Sequence, residues 1–542
     1  MEPVSKVWAS QLLPYVNNVL LKLLDSNNGN SNNGTVTRKI ISISAALFLF
    51  YITYDKVMRP PKQLRHITHG NPIKTLMAAL RQLSADEITR SIGYPLSSQT
   101  ENGLYTRFDA TGWTVIINDP AIAKEYLFKS TTFVKSPLSD DFAGTLITRF
   151  IVGPNILFLS GQHWLDQRKI ANPAFRRSMP VALFGRLTEK LFNVIDTTGD
   201  TSDVYDLMER WTLDALGNAG FGFDFDAISS KQNKWVKKYN DIINATQNPI
   251  YGLFPILERR FLNWIPSRKK SHQDMDEFHD MIQCLIDKKR KLIQEQKESG
   301  ISVMGDPERD LLTMMIEGGQ EEGQGLTDAE LLSNVYVFLF AGHDTTASAI
   351  SFAICFLAMY PEIQQRAREE AIKILGDEPK NVAPTVEQSQ KMVYTEQIIK
   401  ETLRMYAPVD YLVPRCAVKD TELGGVFIPK GTQVTVSIYQ LHHSPRVWND
   451  NPDKFNPDRF ASNTNTSSIE NYDWIPFSTG ARKCIGMNFS LSEQRLFLPM
   501  LLRKYVWRLP KDTIHSPERI VTKQNLGVMS PKNLNVIFER RY

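Results

Sequence analysis

The stretch Phe477-Ser-Thr-Gly-Ala-Arg-Lys-Cys-Ile-Gly486 decides how the rest of the chain is read. Gly480 permits a tight turn ahead of Cys484, in a backbone conformation open mainly to glycine. Arg482 and Lys483 place positive charge beside the sulfur, and Gly486 lets another group approach closely. The pattern that follows (Asn488, Leu491, Arg495, Leu498) predicts a helix, so Cys484 falls near a helix N-terminus. Free N–H groups and the helix dipole there favour an anion, here a thiolate. Taken alone, C-x-G is also compatible with a plain cysteine in a glycine turn.

The whole stretch says more. Phe477, Gly480, Arg482, Cys484 and Gly486 together resemble the haem-binding loop of the cytochrome P450 family. The resemblance implies haem b, with Cys484 as axial thiolate and the other four residues shaping the loop around it. Such a thiolate pushes electron density onto the iron and favours O–O cleavage. It also implies a mainly α fold with small β-sheets (α+β), in one haem domain.

The chain has 542 residues, 42% hydrophobic and 23% charged, enough for a large core. Length alone suggests about three domains, but the scattered motifs all serve one haem. The net charge of +4 is mild, and no basic run interleaved with aromatics points to nucleic acid. Four unpaired cysteines without C-x-x-C indicate neither a zinc site nor a disulfide framework. Cys284, Cys355 and Cys416 are expected as small core residues.

Residues 1–37 read as an amphipathic helix followed by the polar linker Asp25 to Gly34. Ile40 to Tyr54 carries no charge. As a helix it spans about 22 Å, short of the ~30 Å hydrocarbon core, but Arg38, Lys39, Lys56 and Arg59 extend its reach by snorkelling. Residues 38–59 are therefore expected to be a single membrane anchor. The basic residues after it place the 60–542 haem domain on the cytoplasmic side, at the endoplasmic reticulum.

Leu104 to Phe108 and Trp113 to Ile117 read as a hairpin, and Asp119-Pro120 starts a helix. Trp164 and Arg168 share one helical face; the resemblance gives them a haem propionate. Val204 to Lys297 is helical but broken at Asn248-Pro249, Phe254-Pro255 and Ile265-Pro266, and by resemblance caps the substrate channel.

Thr327-Asp-Ala-Glu330 is a capping box. The apolar helix after it, reaching Met359, is broken in pattern by Ala341-Gly-His-Asp-Thr-Thr346. A glycine and buried polar groups inside such a helix need a reason. A local opening beside an oxygen site supplies one. The motif resembles the family's oxygen-activation segment. That resemblance implies Thr345 as the hydroxyl beside the oxygen, Asp344 as proton-relay acid and Ala341 with Gly342 as the surface near the haem. His343 is expected to support the helix without binding iron.

Glu401 and Arg404 lie three apart on a helix. Exposed, such a pair contributes little; the resemblance joins it to Arg459 as a brace behind the cysteine loop. The same resemblance gives Arg415 a haem propionate and places Phe338, Val409, Tyr411, Leu412, Val413, Leu526 and Val528 around the substrate. Asp410 and Tyr411 hint at an oxygen function on that substrate, or point away. Arg482 and Lys483 suit an acidic partner.

The implied activity inserts one oxygen atom of O2 into a lipophilic small molecule such as a steroid, fatty acid or terpenoid. Electrons come from NADPH through NADPH–cytochrome P450 reductase, with cytochrome b5 as an additional donor. A peroxide-using or isomerising haem-thiolate enzyme and a haem-binding sensor are the alternatives.

Overall fold

The computed structural model describes residue 54 and residues 58–542, apart from 110–111, 136–141, 152, 177–178, 198–200, 231, 300–309, 319–324, 449 and 462–471. The amphipathic stretch, the linker and nearly all of the expected anchor lie outside the described residues.

The helices that position the site are α1 (Gly161–Arg176), α2 (Val181–Thr197), α3 (Val204–Leu216), α4 (Lys234–Thr246), α5 (Pro266–Glu298), α6 (Asp328–Met359), α7 (Pro361–Leu375), α8 (Val393–Met405) and α9 (Met487–Lys504). Helix α6 is the spine. Thr327 Oγ1 accepts from the Glu330 N–H at 3.2 Å and Glu330 Oε2 accepts from the Thr327 N–H at 2.9 Å, so the capping box forms. The helix runs 32 residues, about 48 Å. It is apolar enough to span a bilayer, but it is buried inside the protein and serves as a core helix.

Two hydrophobic cores share this spine. Leu331 to Phe340 pack with α1, α4 and α5. Ala347 to Ala358 pack with α2, α3, α8 and α9. Residues 341–346 fall at the join between them. A polar segment here interrupts neither core, which is why the helix tolerates it.

The strands are β1 (Leu104–Asp109), β2 (Gly112–Ile117), β3 (Phe133–Lys135), β4 (Thr201–Asp203), β5 (Arg415–Ala417), β6 (Thr421–Leu423), β7 (Val426–Ile428), β8 (Gln433–Val436), β9 (Tyr505–Arg508), β10 (Thr522–Asn525), β11 (Val528–Pro531) and β12 (Asn535–Arg540). One sheet has the order β1-β2-β8-β5-β3, with β2 and β8 parallel. Its edge pairs β3 with β5 in a register that sets Lys135 directly opposite Arg415. Strands β10 and β11 form a hairpin whose two turn residues, Leu526 and Gly527, both have positive φ (45° and 85°). That is the backbone a tight two-residue hairpin turn requires.

Each proline break foreseen between α4 and α5 coincides with a new helix: Pro249–Leu253, Ile256–Phe261 and α5 itself. Two expectations fail. Helix α6 is continuous through Gly342, without the anticipated opening. Cys284 is exposed on α5 rather than buried, whereas Cys355 is fully buried and Cys416 half-buried.

Candidate active site

The cysteine loop is shaped by backbone hydrogen bonds within ten residues. The Cys484 N–H donates to Phe477 O at 2.9 Å, and the Lys483 N–H to Gly480 O at 3.1 Å. Closing that loop takes Ser478 and Gly480 to φ of 55° and 70°, so glycine at 480 avoids strain that a side chain would bring. Behind it, the Ile475 N–H donates to His442 Nε2 at 2.9 Å and Trp474 Nε1 donates to Lys400 O at 3.1 Å.

Gly486 is the N-cap of α9. The Cys484 thiol is accessible although protein surrounds it, so it lines a recess. That surrounding desolvation pushes the thiol above its ordinary range. The Gly486 N–H opposes the push, followed by Arg168, Lys483 and the Met487 N–H. These groups favour the thiolate.

Cations gather beside the loop. Arg482 Nη2 donates to Leu159 O at 2.6 Å, and its guanidinium lies 3.9 Å over the Trp164 ring. Arg168, one turn along α1, donates to Lys483 O at 2.9 Å. Arg415 is buried, 5.2 Å over the Tyr126 ring. Lys135 Nζ donates to Val413 O at 2.8 Å. No carboxylate among the described residues forms an ion pair with Lys135, Arg415 or Arg482. Burial, with the charges of Arg415 and Arg482 added, pulls Lys135 well below the lysine range. Burial, then Arg415 and Arg168, pulls Arg482 down to about 10. Like charges crowded without an acid are costly, and a bound anion relieves the cost. Lys135 escaped the sequence reading; only its register with Arg415 exposes it. Arg482 turns inward onto Trp164, which corrects its assignment to a partner-facing surface.

On α6, Ala341 is accessible, and Gly342 and Thr345 are half-exposed, between buried neighbours. Thr345 Oγ1 donates to Ala341 O at 2.9 Å. Gly342 packs against α3: a Cβ there would meet Leu216 Cδ2 at 2.9 Å, and that side chain would have to shift. Asp344 is buried. Its Oδ2 accepts from the Tyr239 hydroxyl at 2.7 Å, and its Oδ1 lies 3.0 Å from His343 Nε2. Burial opposes a charge on His343, but Asp344 outweighs it and raises the ring above its usual value. Thr346 Oγ1 donates to Ser490 Oγ at 2.9 Å, tying this segment to the helix that follows Cys484.

Glu401 and Arg404 are fully buried and bidentate: Arg404 Nε meets Oε2 at 2.7 Å and Nη2 meets Oε1 at 2.9 Å. Arg459 Nε lies 3.4 Å from Glu401 Oε1. Arg404 Nη1 also donates to His442 O at 2.7 Å, which links this triad to the loop support.

Of the residues expected around a substrate, Val409 bridges Val528 at the hairpin, and Leu526 packs in the same core as Phe338. The other four make contacts of their own. Phe338 is buried against Phe175 with ring centroids 5.7 Å apart, so it backs the wall. Leu412 packs on the five-stranded sheet, and Val413 contributes its carbonyl to Lys135. Tyr411 turns its hydroxyl to Thr89 and Arg107, both at 2.9 Å, and Asp410 accepts from the Tyr439 N–H at 3.1 Å. Neither polar group addresses a substrate, which corrects the hint drawn from them.

The donor set has a definite chemistry. Among the described residues no group of three His, Cys, Asp or Glu can hold a metal ion. One accessible thiol at a helix N-terminus, with Lys135, Arg415 and Arg482 meeting no acid among the described residues, is what an iron-carrying macrocycle with carboxylate arms requires. These features fit a haem-thiolate protein. The chain matches the Cytochrome P450 family model over residues 98–538. Similar proteins include the 11-oxo-beta-amyrin 30-oxidase of Medicago truncatula, 25% identical over 92% of this chain and 96% of the relative. Cytochrome P450 4A7 of Oryctolagus cuniculus is 30% identical over 70% of this chain and 74% of its own, and cytochrome P450 3A2 of Rattus norvegicus 28% over 67% and 71%. The chain belongs to the cytochrome P450 family and is a monooxygenase of that family.

Proposed function

We propose that this protein hydroxylates a lipophilic small molecule with one atom of O2, using haem b held by Cys484. The bound haem supplies the dioxygen-splitting chemistry. Cys484 would ligate the iron through Sγ. Lys135, Arg168, Arg415 and Arg482 would hold the propionates, with Trp164 stacked to orient Arg482. Phe477, Gly480 and Gly486 shape the loop. Asp344 and Thr345 hold and pass protons at the oxygen face, where Ala341 leaves room. Glu401, Arg404 and Arg459 brace the loop from behind. Val409, Leu526 and Val528 border the substrate. The accessible thiol near Lys135, Arg415 and Arg482, which pair with no carboxylate among the described residues, carries this reading.

The substrate class is a steroid, fatty acid or terpenoid; one relative is named for oxidising 11-oxo-beta-amyrin, which supports a bulky lipophile. NADPH–cytochrome P450 reductase delivers the electrons, with cytochrome b5 as a second donor. Exposed Lys483 offers that acidic partner a contact. The domain at 60–542 sits on the cytoplasmic face of the endoplasmic reticulum, anchored through 38–59. Exposed Leu76 and Leu80 on the helix Pro72–Leu80, with Ile250, Phe254, Ile256 and Trp264 before α5, give the domain apolar surface of its own and support membrane contact.

Haem-loaded protein, screened spectrally against lipophiles and then turned over with reductase, tests the reading. NADPH-dependent product carrying one oxygen from O2 supports it. Turnover with peroxide alone, or ligand binding without any product on reduction, overturns it.

A further inference from the structure

Helix α3 packs along α6 where the oxygen segment lies, and it presents Tyr205 and Glu209 one turn apart on one face. Around them are two buried polar atoms without a hydrogen-bond partner, Tyr205 Oη on α3 and Ser530 Oγ on β11, and Asp344 Oδ1 on α6, whose near contact is His343 Nε2 at 3.0 Å. Ser348, one turn beyond Asp344, donates to Met529 O, so β11 lies on the same flank of α6. Lys523, on β10, holds its ammonium 4.4 Å over the Tyr205 ring and is half-exposed. Buried polar groups left unpaired and close together mark sites for bound water. Here they outline a path from solvent at Lys523, past Glu209, to Asp344.

Glu209 is suited to such a path. Burial first, then the neighbouring Asp344, pushes its carboxyl up to about 8; Lys523, His343 and Tyr205 oppose the shift. It therefore carries a proton at neutral pH and releases it within reach of neutral conditions. The groups facing it are Tyr205 from α3, Asp344 and His343 from α6 and Lys523 from β10, with Ser530 of β11 beside Tyr205. Tyr239, from α4, holds the other oxygen of Asp344, and Oδ1 stays beside His343 Nε2.

We propose that Glu209 is the outer member of a proton relay that recharges Asp344 from solvent. The proposal rests on reading Asp344 as the acid that serves the oxygen face. After Asp344 gives its proton toward Thr345, protonated Glu209 passes one through bound water to Asp344 Oδ1. Glu209 is left as carboxylate, and water entering beside Lys523 reprotonates it. One proton crosses at each passage of the relay, two passages supply the two protons a turnover consumes, and no electrons move along it.

The test uses the full, haem-loaded chain with reductase and NADPH, comparing the parent with Glu209→Gln, Glu209→Asp and Asp344→Asn. Glu209→Gln is expected to lower product formation on the order of 10-fold, divert reducing equivalents to peroxide and enlarge the solvent deuterium effect. The parent loses activity as Glu209 deprotonates near pH 8; the variant lacks that limb. Glu209→Asp restores part of the rate. Independently of turnover, the infrared carbonyl band of a protonated carboxyl at pH 7 disappears in Glu209→Gln. Parental coupling, isotope effect and pH profile in Glu209→Gln, with Asp344→Asn uncoupled, overturn the relay through Glu209. If Asp344→Asn is also fully coupled, the underlying reading of Asp344 has failed instead.

Discussion

Glu401 and Arg404 form a fully buried ion pair that Arg459 joins, whereas buried Arg415 and half-buried Lys135 and Arg482 meet no carboxylate among the described residues. Both clusters stand close behind or beside the cysteine loop, and both are ionic. The first is complete within the protein: Glu401 accepts from Arg404 and from the Asn456 N–H, and Arg404 reaches on to His442 O. The second makes sense only with an anion brought from outside. A protein keeps the first kind of cluster for its own shape and the second kind for what it binds.

The largest consequence of the difference falls on the matched cluster. Arg404→Leu removes the bidentate partner of buried Glu401, leaving it only the longer Arg459 contact, and is expected to cost about 3–5 kcal/mol. Denaturant unfolding checks this, and a loss below ~1 kcal/mol would place the triad at the surface in solution.

An intermediate effect involves pH. Burial, then the charge of Arg404, lowers His442 to about 3, and its Nε2 must stay unprotonated to accept from the Ile475 N–H. The unfolded chain has an ordinary imidazole near 6.5. The stabilisation is therefore full above that value and is lost as pH falls toward 3. The slope approaches ~1.4 kcal/mol per pH unit, or about 2 kcal/mol by pH 5. Buried His443 and His515 are lowered as well and add to the slope, so unfolding midpoints measured from pH 7.5 to 5 should fall at least this steeply, and His442→Gln should remove its share.

The smallest effect reverses sign between states. Lys135 and Arg415 are cross-strand partners of like charge. Lys135→Met should stabilise the haem-free protein by about 1 kcal/mol or less while weakening haem retention. Heat unfolding with and without haem separates the two. Destabilisation of both forms would mean that Lys135 serves the fold alone.

What the sequence disclosed follows the reach of each interaction. The turn from Phe477 to Cys484, the capping box at Thr327 and Glu330, and the pair Glu401 and Arg404 are local, so spacing and residue type exposed them. Lys135 meets Arg415, His442 meets Ile475, and Tyr239 meets Asp344 across long stretches of chain that no periodicity records. The same limit explains the errors. Arg482 reads as a surface cation until α1 brings Trp164 beneath it. Tyr411 keeps its place in a pocket-like segment, but Thr89 and Arg107 claim its hydroxyl.

The central claim is that one sulfur holds the iron. Parent and Cys484→Ser proteins, each loaded with haem, reduced and exposed to carbon monoxide, give the direct comparison. The account predicts the absorption band of sulfur-ligated ferrous haem in the parent and its loss in Cys484→Ser. A band that survives in the variant, or is absent from the parent, contradicts it.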